Sequence, residues 1–289
     1  MTKAQTSIAL GFFDGVHTAH KEIILSAADT ATKKGMRPIA LTFDRSPREL
    51  LSTEKIEYIS PFCDKNEIIK ALGCELHLLN TTPELLNMEP EDFVKTILVE
   101  KFNVGHICCG YNYRFGKKAK GDTALLQKLS KIYGFTVSVF DAIELLGGTV
   151  SSSRIRALLK EGEIEKANTL LGRSFSLSGI VTEGKHLGKT IGFPTANIFP
   201  EKNLVTPKRG VYKTMVITPL GSFPAITNVG INPTVGTEKA HLETYIPSFS
   251  ADLYQAEIKV EFVSFLREEK KFKTLEELKN QIQKDVNRL

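Results

Sequence analysis

The stretch of sequence that decides how this chain is interpreted is Gly192-Phe193-Pro194-Thr195-Ala196-Asn197. Proline disfavours the helical conformation at the residue before it and favours an extended backbone there. Polar and apolar residues then alternate from Thr195 to Ile198, as they do in a half-buried strand. Thr195 and Asn197 share one face of such a strand. Their hydroxyl and amide oxygens are hard ligands, so the stretch predicts a strand that holds Mg²⁺ together with phosphates.

A glycine-rich segment precedes this strand. Gly184, Gly188 and Gly192 are four residues apart, and Lys185 and Lys189 lie between them. Glycine allows a ligand to approach the backbone closely, and lysine binds phosphate as a point charge. The segment predicts a phosphate-binding loop, with an ordinary glycine-rich turn as the alternative.

The rest of the second half consists of predicted strands separated by turns that are rich in glycine and proline. These strands cover residues 175–181, 195–198, 210–217, 225–229, 242–246 and 258–265. About six strands without helices between them predict a small antiparallel six-stranded β-barrel. A C-terminal helix follows, and Thr274 and Glu277 form a capping box at its start.

The first half alternates strands with helices. The predicted strands are 7–11, 38–43, 75–79, 104–110 and 135–140, and the predicted helices are 20–34, 61–72, 90–102 and 122–133. This alternation predicts an α/β domain, a doubly wound sheet of mostly parallel strands. We expect an α/β domain over residues 1–172 and an all-β domain over 173–289.

A candidate site follows the first predicted strand, between Gly11 and His20. The chain passes from a buried strand through a tight turn to a helix N-terminus, where anions bind readily. His17 and His20 are three residues apart, so they share a face if the helix has begun. A capped helix start with solvated histidines is the alternative interpretation.

Composition excludes few classes of protein. The chain has 289 residues, with 42% hydrophobic and 25% charged residues, as soluble globular proteins do. Its formal net charge of +5 suits anionic small molecules and does not require nucleic acid. The four cysteines form no Cys-x-x-Cys pair, and we find neither a signal-peptide layout nor a membrane-spanning apolar segment. These features predict a cytoplasmic protein, without membrane association and with an undetermined oligomeric state.

Several motifs together resemble the bacterial bifunctional riboflavin kinase/FAD synthetases. Residues 192–197 resemble the riboflavin kinase signature, and residues 11–17 with His20 resemble the His-x-Gly-His signature of nucleotidyltransferases. The resemblance implies phosphorylation of riboflavin to FMN by ATP with Mg²⁺, followed by adenylylation of FMN by ATP to FAD. A nucleotidyltransferase fold and a riboflavin kinase barrel are implied as well.

The resemblance also implies functional residues. For the adenylyltransferase, His17 and His20 would be catalytic, and ATP would bind Gly11, Phe12, Phe13, Asp14, Gly15, His17, His20, Ser152, Ser153 and Arg156. For the kinase, Glu243 would be the base, and ATP would bind Gly184, Lys189, Gly192, Phe193, Pro194, Thr195 and Asn197. Flavin would contact Asn112, Tyr113, Phe115 and Arg267, and Thr195 and Asn197 would hold the metal. A surface ion pair is the alternative role for Arg267.

The chain departs from the family's pattern at a few positions. Ala19 replaces the glycine between the two histidines, and Ser248 and Gln255 replace an aspartate and a glycine at the edge of the expected flavin pocket. Ala19 motivates an alternative function, a riboflavin kinase with a weak adenylyltransferase domain. The basic charge motivates another, an RNA-binding regulator that senses flavin or nucleotide. Basic residues are not interleaved with aromatic ones along one face, which is evidence against the regulator.

Overall fold

The computed structural model describes residues 4–51, 56–183, 187–232 and 239–289. The chain divides into two compact units. The first comprises Met1–Ile56 and Pro61–Ser151, and the second comprises Glu57–Ser60 and Ser152–Leu289. No helix of the described residues is both long enough and apolar enough to span a membrane.

The first unit is an α/β structure. Its strands are β1 (Thr6–Leu10), β2 (Arg37–Phe43), β3 (Glu75–Leu79), β4 (Val104–Gly110), β5 (Thr136–Phe140), β6 (Glu144–Leu145) and β7 (Gly148–Thr149). Its helices are α1 (Thr18–Lys34), α2 (Pro47–Leu51), α3 (Phe62–Ala71), α4 (Pro83–Leu86), α5 (Pro90–Asp92) and α6 (Thr123–Tyr133). A π-helical segment, Phe93–Lys101, continues α5, where the sequence predicted one ordinary helix.

Five of these strands form a parallel sheet in the order β3-β2-β1-β4-β5. Alternate residues of a strand point to opposite faces of its sheet. Ile8 and Leu10 of β1 accordingly belong to one buried cluster, with Leu126 of α6. Ala9 lies in a second cluster, with Ile24 of α1 and Ile69 of α3. Helices therefore cover both faces, and the predicted doubly wound arrangement is confirmed.

The strand order fixes where a ligand can bind. In doubly wound sheets, ligands occupy the crevice beyond the carboxyl ends of the strands, at the point where the strand order reverses. Here the order reverses between β1 and β4. The segments that follow these strands begin at Gly11 and Tyr111, so the topology brings the two predicted motifs of this unit to one edge of the sheet.

The second unit is built on an antiparallel sheet. Its strands are β8 (Phe175–Ile180), β9 (Thr195–Ile198), β10 (Gly210–Thr218), β11 (Gly221–Asn232), β12 (Lys239–Tyr245) and β13 (Glu257–Arg267). They pair in the order β8-β13-β10-β11-β12-β9, and an isolated bridge between Thr182 and Asn197 links the two ends. The sheet curls into a six-stranded half-barrel and is followed by α10 (Leu275–Val286). The predicted barrel class and C-terminal helix are confirmed.

Three more helices belong to the second unit: α7 (Ser152–Glu161), α8 (Ile164–Leu171) and α9 (Leu187–Thr190). The sequence predicts that residues 152–171 belong to the first domain, whereas their contacts group them with the barrel. Asn168 of α8 explains this grouping. Its amide donates to the Phe262 carbonyl at 2.8 Å, and its side-chain oxygen accepts from the Phe175 N–H at 2.7 Å.

Candidate active sites

The loop after β1 has an unusual backbone. Phe13 and Val16 have φ angles of 55° and 38°, and Gly15 has a φ of 76°. Positive φ is costly for bulky or β-branched residues, so it persists only where the surroundings enforce it. Phe13 and Val16 are fully buried, which supplies that enforcement. A side chain at Gly11 would overlap the Phe13 ring. Such strain is typical of loops shaped to bind a ligand.

His17 and His20 are brought together by the start of α1. His17 is the N-cap residue, and its Nδ1 accepts a hydrogen bond from the His20 backbone N–H at 3.4 Å. The two imidazole rings stack with centroids 3.6 Å apart. The capped helix start of the alternative interpretation is therefore present, but His17 is only 4% exposed and is not solvated. The start of α1 therefore sets the two imidazoles side by side at the helix N-terminus.

The second histidine is held neutral. Burial lowers the pKa of His20 well below its ordinary value, and His17 and Lys65 lower it further. Its Nδ1 is buried without a hydrogen-bond partner among the described residues. Buried polar atoms are nearly always satisfied in native proteins. This atom therefore marks a place for a ligand group beside the helix N-terminus.

The predicted flavin-side residues of the first unit have different surroundings. Tyr111 is 49% exposed, and Asn112 is exposed beside it. Phe115 is 6% exposed and packs against Phe93 in the core, with ring centroids 5.7 Å apart. The burial of Phe115 does not fit its predicted contact with flavin. Tyr113 is half-buried and stacks on Phe115, so it extends this packing. The accessible aromatic ring of this segment is that of Tyr111, which was not among the predicted flavin contacts.

Ser152, Ser153 and Arg156 lie in the first turns of α7, where the sequence predicted them. The Arg156 guanidinium donates to the Ser153 hydroxyl at 3.3 Å. Hydroxyls and an arginine at a helix N-terminus suit a phosphate group. By contacts these residues belong to the second unit.

One face of β9 and β12 carries the predicted kinase residues. Asn197 pairs directly with Glu243, and Thr195 pairs with Tyr245. Directly paired residues of antiparallel strands lie on the same face with their Cβ atoms about 5 Å apart. The metal-ligand candidates and the candidate base, which are distant in sequence, are therefore neighbours in the fold.

Two cavities meet at this face. We name each cavity after the ligand that is proposed for it below. The nucleotide cavity has a volume of about 550 Å³, and its lining includes Thr195, Asn197 and Asp252. The flavin cavity has a volume of about 330 Å³, and its lining includes Thr195, Glu243, and apolar residues such as Phe272. Both volumes fall within or near the range of small-molecule sites. Thr195 lines both cavities, so a group at its hydroxyl is accessible from either one.

The metal candidates fit a magnesium ion. The Asn197 amide is 6% exposed and donates to the Thr195 carbonyl at 3.2 Å, which leaves its oxygen as the atom for a ligand. No group of three or more His, Cys, Asp or Glu side chains among the described residues could hold a metal. Mg²⁺ commonly takes one or two protein oxygens and completes its shell with phosphates and water. The hydroxyl–amide pair therefore suits Mg²⁺ delivered with a nucleotide.

Two glycines of the predicted phosphate loop, Gly188 and Gly192, serve the loop's own geometry. A side chain at Gly188 would overlap the Phe193 carbonyl oxygen, and Gly192 has a φ of 84°. The Phe193 N–H also donates to the Gly188 carbonyl at 2.8 Å. The space at Gly188 is thus filled by the chain and not by a ligand, contrary to prediction. Gly184 and the side chain of Lys189 lie outside the described residues.

Arg267 lines the flavin cavity but is also paired. Its guanidinium donates to both carboxylate oxygens of Asp285 on α10, at 2.8–3.1 Å. Asp285 is 1% exposed. The sequence left a flavin contact and a surface ion pair as alternative roles for Arg267, and the ion pair that the structure shows is buried. It fixes α10 against the end of β13, where Leu278 and Ile282 also line the flavin cavity.

We expect Asp285→Ala to lower the free energy of unfolding by about 3 kcal/mol, because removal of one partner leaves Arg267 buried without its counter-charge. Urea unfolding of the full chain measures this loss. Lys279→Ala, an exposed change on the same helix, is the matched control. Equal stability of the two variants would contradict the anchoring role.

The two departures near the barrel's edge have unusual backbones. Ser248 and Gln255 have φ angles of 58° and 61°. This conformation favours glycine, which explains why a glycine fits at the position of Gln255. Residues 249–254 between them line the nucleotide cavity. The structure therefore places these departures beside that cavity.

The fold and the sites define a two-part transferase that handles phosphate compounds in both parts. A family model described as FAD synthetase matches residues 1–154, and one described as riboflavin kinase matches residues 171–289. The chain belongs to the bifunctional riboflavin kinase/FMN adenylyltransferase family.

Known proteins agree over nearly the whole length. The bifunctional riboflavin kinase/FMN adenylyltransferase of Listeria monocytogenes is 35% identical, over 96% of this chain and 89% of its own. The Bacillus subtilis protein of that name is 32% identical, over 98% and 91%. A Streptococcus pneumoniae crystal structure described as a macrolide-efflux protein superposes with a TM-score of 0.91 at 28% identity, over 99% and 94%.

Proposed function

We propose that the barrel transfers the γ-phosphate of ATP to riboflavin, giving FMN and ADP. The α/β unit then joins FMN to the AMP part of a second ATP, giving FAD and pyrophosphate. The observation that carries the kinase assignment is the pairing of β9 with β12, which sets the oxygen ligands of Asn197 and Thr195 beside Glu243. We assign the adenylyltransferase to residues 1–172 and the kinase to residues 173–289.

The two cavities suggest how the kinase substrates are arranged. The nucleotide cavity is lined by the hydroxyl, amide and carboxylate oxygens of Thr195, Asn197 and Asp252, which suit a metal-bound triphosphate. The flavin cavity is lined largely by apolar side chains, which suit a flat aromatic ring. Because the cavities meet at Thr195, the ribityl hydroxyl and the γ-phosphate can come together there.

Glu243 is the proposed general base. Its carboxylate lines the flavin cavity and is partly exposed, so an incoming hydroxyl can reach it. His241, two residues earlier on the same face of β12, lies with Nδ1 3.4 Å from Glu243 Oε1. The His241 ring stacks on Phe199 with centroids 4.7 Å apart. This stack holds the imidazole in place, and the imidazole orients the carboxylate that accepts the hydroxyl proton.

Thr195 and Asn197 would hold the metal. Bound Mg²⁺ would supply charge neutralisation of the phosphates, as it does in phosphoryl transfer generally. The chain's own contribution is the fixed spacing of two oxygens on one strand face and the exclusion of water by buried Asn197.

The double variant Thr195→Ala/Asn197→Ala should lower kinase turnover by about tenfold at saturating Mg²⁺, with a steeper loss when Mg²⁺ is limiting. Rates of FMN formation across a Mg²⁺ titration measure this. Ser178→Ala, a change to a half-buried serine of β8 that lines neither cavity, serves as control. Identical Mg²⁺ dependence in wild type and double variant would exclude these residues as metal ligands.

For adenylyl transfer, the proposed site lies at the N-terminus of α1. The FMN phosphate attacks the α-phosphate of ATP directly, so no protein nucleophile is required. The imidazole of His17 and the helix N-terminus would stabilise the negative charge that develops on the transferred phosphate. Neutral His20 would contribute its unpartnered Nδ1 as a hydrogen-bonding group. Ser152, Ser153 and Arg156 are the proposed binding groups for pyrophosphate.

Ala19 is the reason to keep a kinase with weak adenylyltransferase activity as a second candidate. Ala19 lies within α1 and has no positive φ. Alanine is the best helix former, so the departure from glycine causes no backbone strain. Backbone geometry thus supports an active site, and only crowding of the triphosphate by the methyl group would weaken it.

Incubation of the full chain with riboflavin, ATP and Mg²⁺, followed by chromatography of the flavins, tests the proposed function. Successive appearance of FMN and FAD is the expected result. FMN without FAD, with oxidised and with reduced flavin, would favour the second candidate.

The compartment we propose is the cytoplasm, and the buried free thiols of Cys74, Cys108 and Cys109 support a reducing environment. Cys63, in contrast, is exposed.

A further inference from the structure

A buried lysine contacts the loop of the adenylyltransferase site. Lys65 lies on α3 and is 8% exposed. Its ammonium donates to the Phe12 carbonyl at 2.8 Å and lies 4.6 Å from the centroid of the Phe12 ring. Lysine is almost never buried without a reason. No motif in the sequence pointed to this residue, because α3 is distant from the loop along the chain.

The contact fixes one particular peptide group. The Thr42 hydroxyl donates to the same Phe12 carbonyl oxygen at 2.9 Å, so two donors hold it. In a trans peptide the C=O and the following N–H point in opposite directions. Holding the Phe12 carbonyl toward Lys65 and Thr42 therefore directs the Phe13 N–H to the other side. Phe13 adopts its left-handed conformation at this point, and the pair of donors helps to enforce it.

The lysine also contributes charge to the site. Burial lowers the pKa of Lys65 to about 8, and the nearby Asp14 opposes this shift. The charge of Lys65 is felt by His20, whose pKa it lowers. Below pH 8 the ammonium is therefore a cation held behind the loop, close to one of the two stacked histidines.

We propose that Lys65 is a positioning residue for adenylyl transfer. It fixes the strained loop through the Phe12 carbonyl and supplies positive charge behind the site that receives the phosphates of ATP. This inference rests on the proposed adenylyltransferase site. A purely structural side chain at this position could be apolar, since burying an ammonium group opposes folding.

The experiment compares three variants of the full chain. Lys65→Met keeps the length of the side chain and removes the charge, and Lys65→Arg keeps the charge. Lys70→Met changes an exposed lysine of the same helix and is the matched control. For each, kcat and KM for ATP are measured for FAD formation from FMN, together with the rate of FMN formation from riboflavin and the urea midpoint of unfolding.

We expect Lys65→Met to lower kcat/KM for FAD formation by at least about tenfold, in line with loss of a preorganised electrostatic contribution. The rate of FMN formation should be unchanged. The urea midpoint of unfolding should be unchanged or raised, because the variant no longer buries a charge. In wild type, kcat/KM should fall as pH rises through about 8. This fall of kcat/KM near pH 8 should be absent in Lys65→Met and displaced to higher pH in Lys65→Arg.

Two results would overturn the inference. One is FAD formation by Lys65→Met within twofold of the Lys70→Met control. The other is a loss of activity in Lys65→Met that parallels a lower urea midpoint and is shared by the kinase reaction, which would indicate a structural role. A wrong assignment of the adenylyltransferase site would give a different result, because His17→Ala would then leave FAD formation intact.

Discussion

Glu243→Gln is expected to lower the turnover of riboflavin phosphorylation by about 10³-fold, which is within the range for loss of a general base. Glutamine keeps the shape of the side chain and the approach of His241, but it cannot accept the ribityl proton. The loss should therefore appear in kcat and not in KM, because the base acts in the transition state. Initial rates of FMN formation at varied riboflavin measure both constants.

FAD formation from supplied FMN should proceed at the wild-type rate in the same preparation, because the histidine pair proposed for adenylyl transfer lies in the other unit. Glu257→Gln, an exposed change on β13, controls for the loss of a strand carboxylate. The assignment of Glu243 would be wrong if both activities fell together in a folded protein, or if kinase turnover were retained.

His17→Ala and His20→Ala should each lower FAD formation from FMN by about 10²-fold, as removal of a preorganised charge-stabilising group does. His17→Ala also removes the cap of α1, which should cost about 1 kcal/mol of stability. His17→Asn therefore belongs beside it, because asparagine restores the cap without the imidazole. FMN formation should be unchanged in all three. His77→Gln, on strand β3 at the edge of the sheet, is the matched histidine control.

Recovery of FAD synthesis in His17→Asn would show that capping alone explains the effect of His17→Ala. Ala19→Gly should be measured in parallel. Equal rates in wild type and Ala19→Gly are expected, because Ala19 is an unstrained helical residue. A faster glycine variant would mean that the methyl group crowds the triphosphate.

Local sequence patterns determined much of the fold. The predicted strands at 75–79, 104–110 and 195–198 have the bounds seen in the structure, since alternation and short apolar runs are properties of neighbouring residues. The capping of α10 by Thr274, whose hydroxyl accepts from the Glu277 N–H at 3.1 Å, could also be predicted for the same reason. His17, His20, Thr195, Asn197 and Glu243 were all identified as candidates from their motifs.

The motifs alone could not give the surroundings of these residues. Glycine spacing predicted a ligand-binding loop, but the space at Gly188 is occupied by the chain's own Phe193 carbonyl. An aromatic motif predicted flavin contact for Phe115, which instead packs in the core. Glycine and aromatic residues serve packing as often as binding, and only the neighbouring atoms distinguish the two roles.

The sequence by itself thus determined the two kinds of structure, their order and the residues that carry chemical groups. Only the tertiary structure decided which groups meet. The register of β9 against β12 sets Asn197 opposite Glu243, the position of α3 brings Lys65 to Phe12, and α10 carries Asp285 to Arg267. These contacts join residues far apart along the chain, and they depend on strand register and helix packing, which the periodicity of a single segment does not encode.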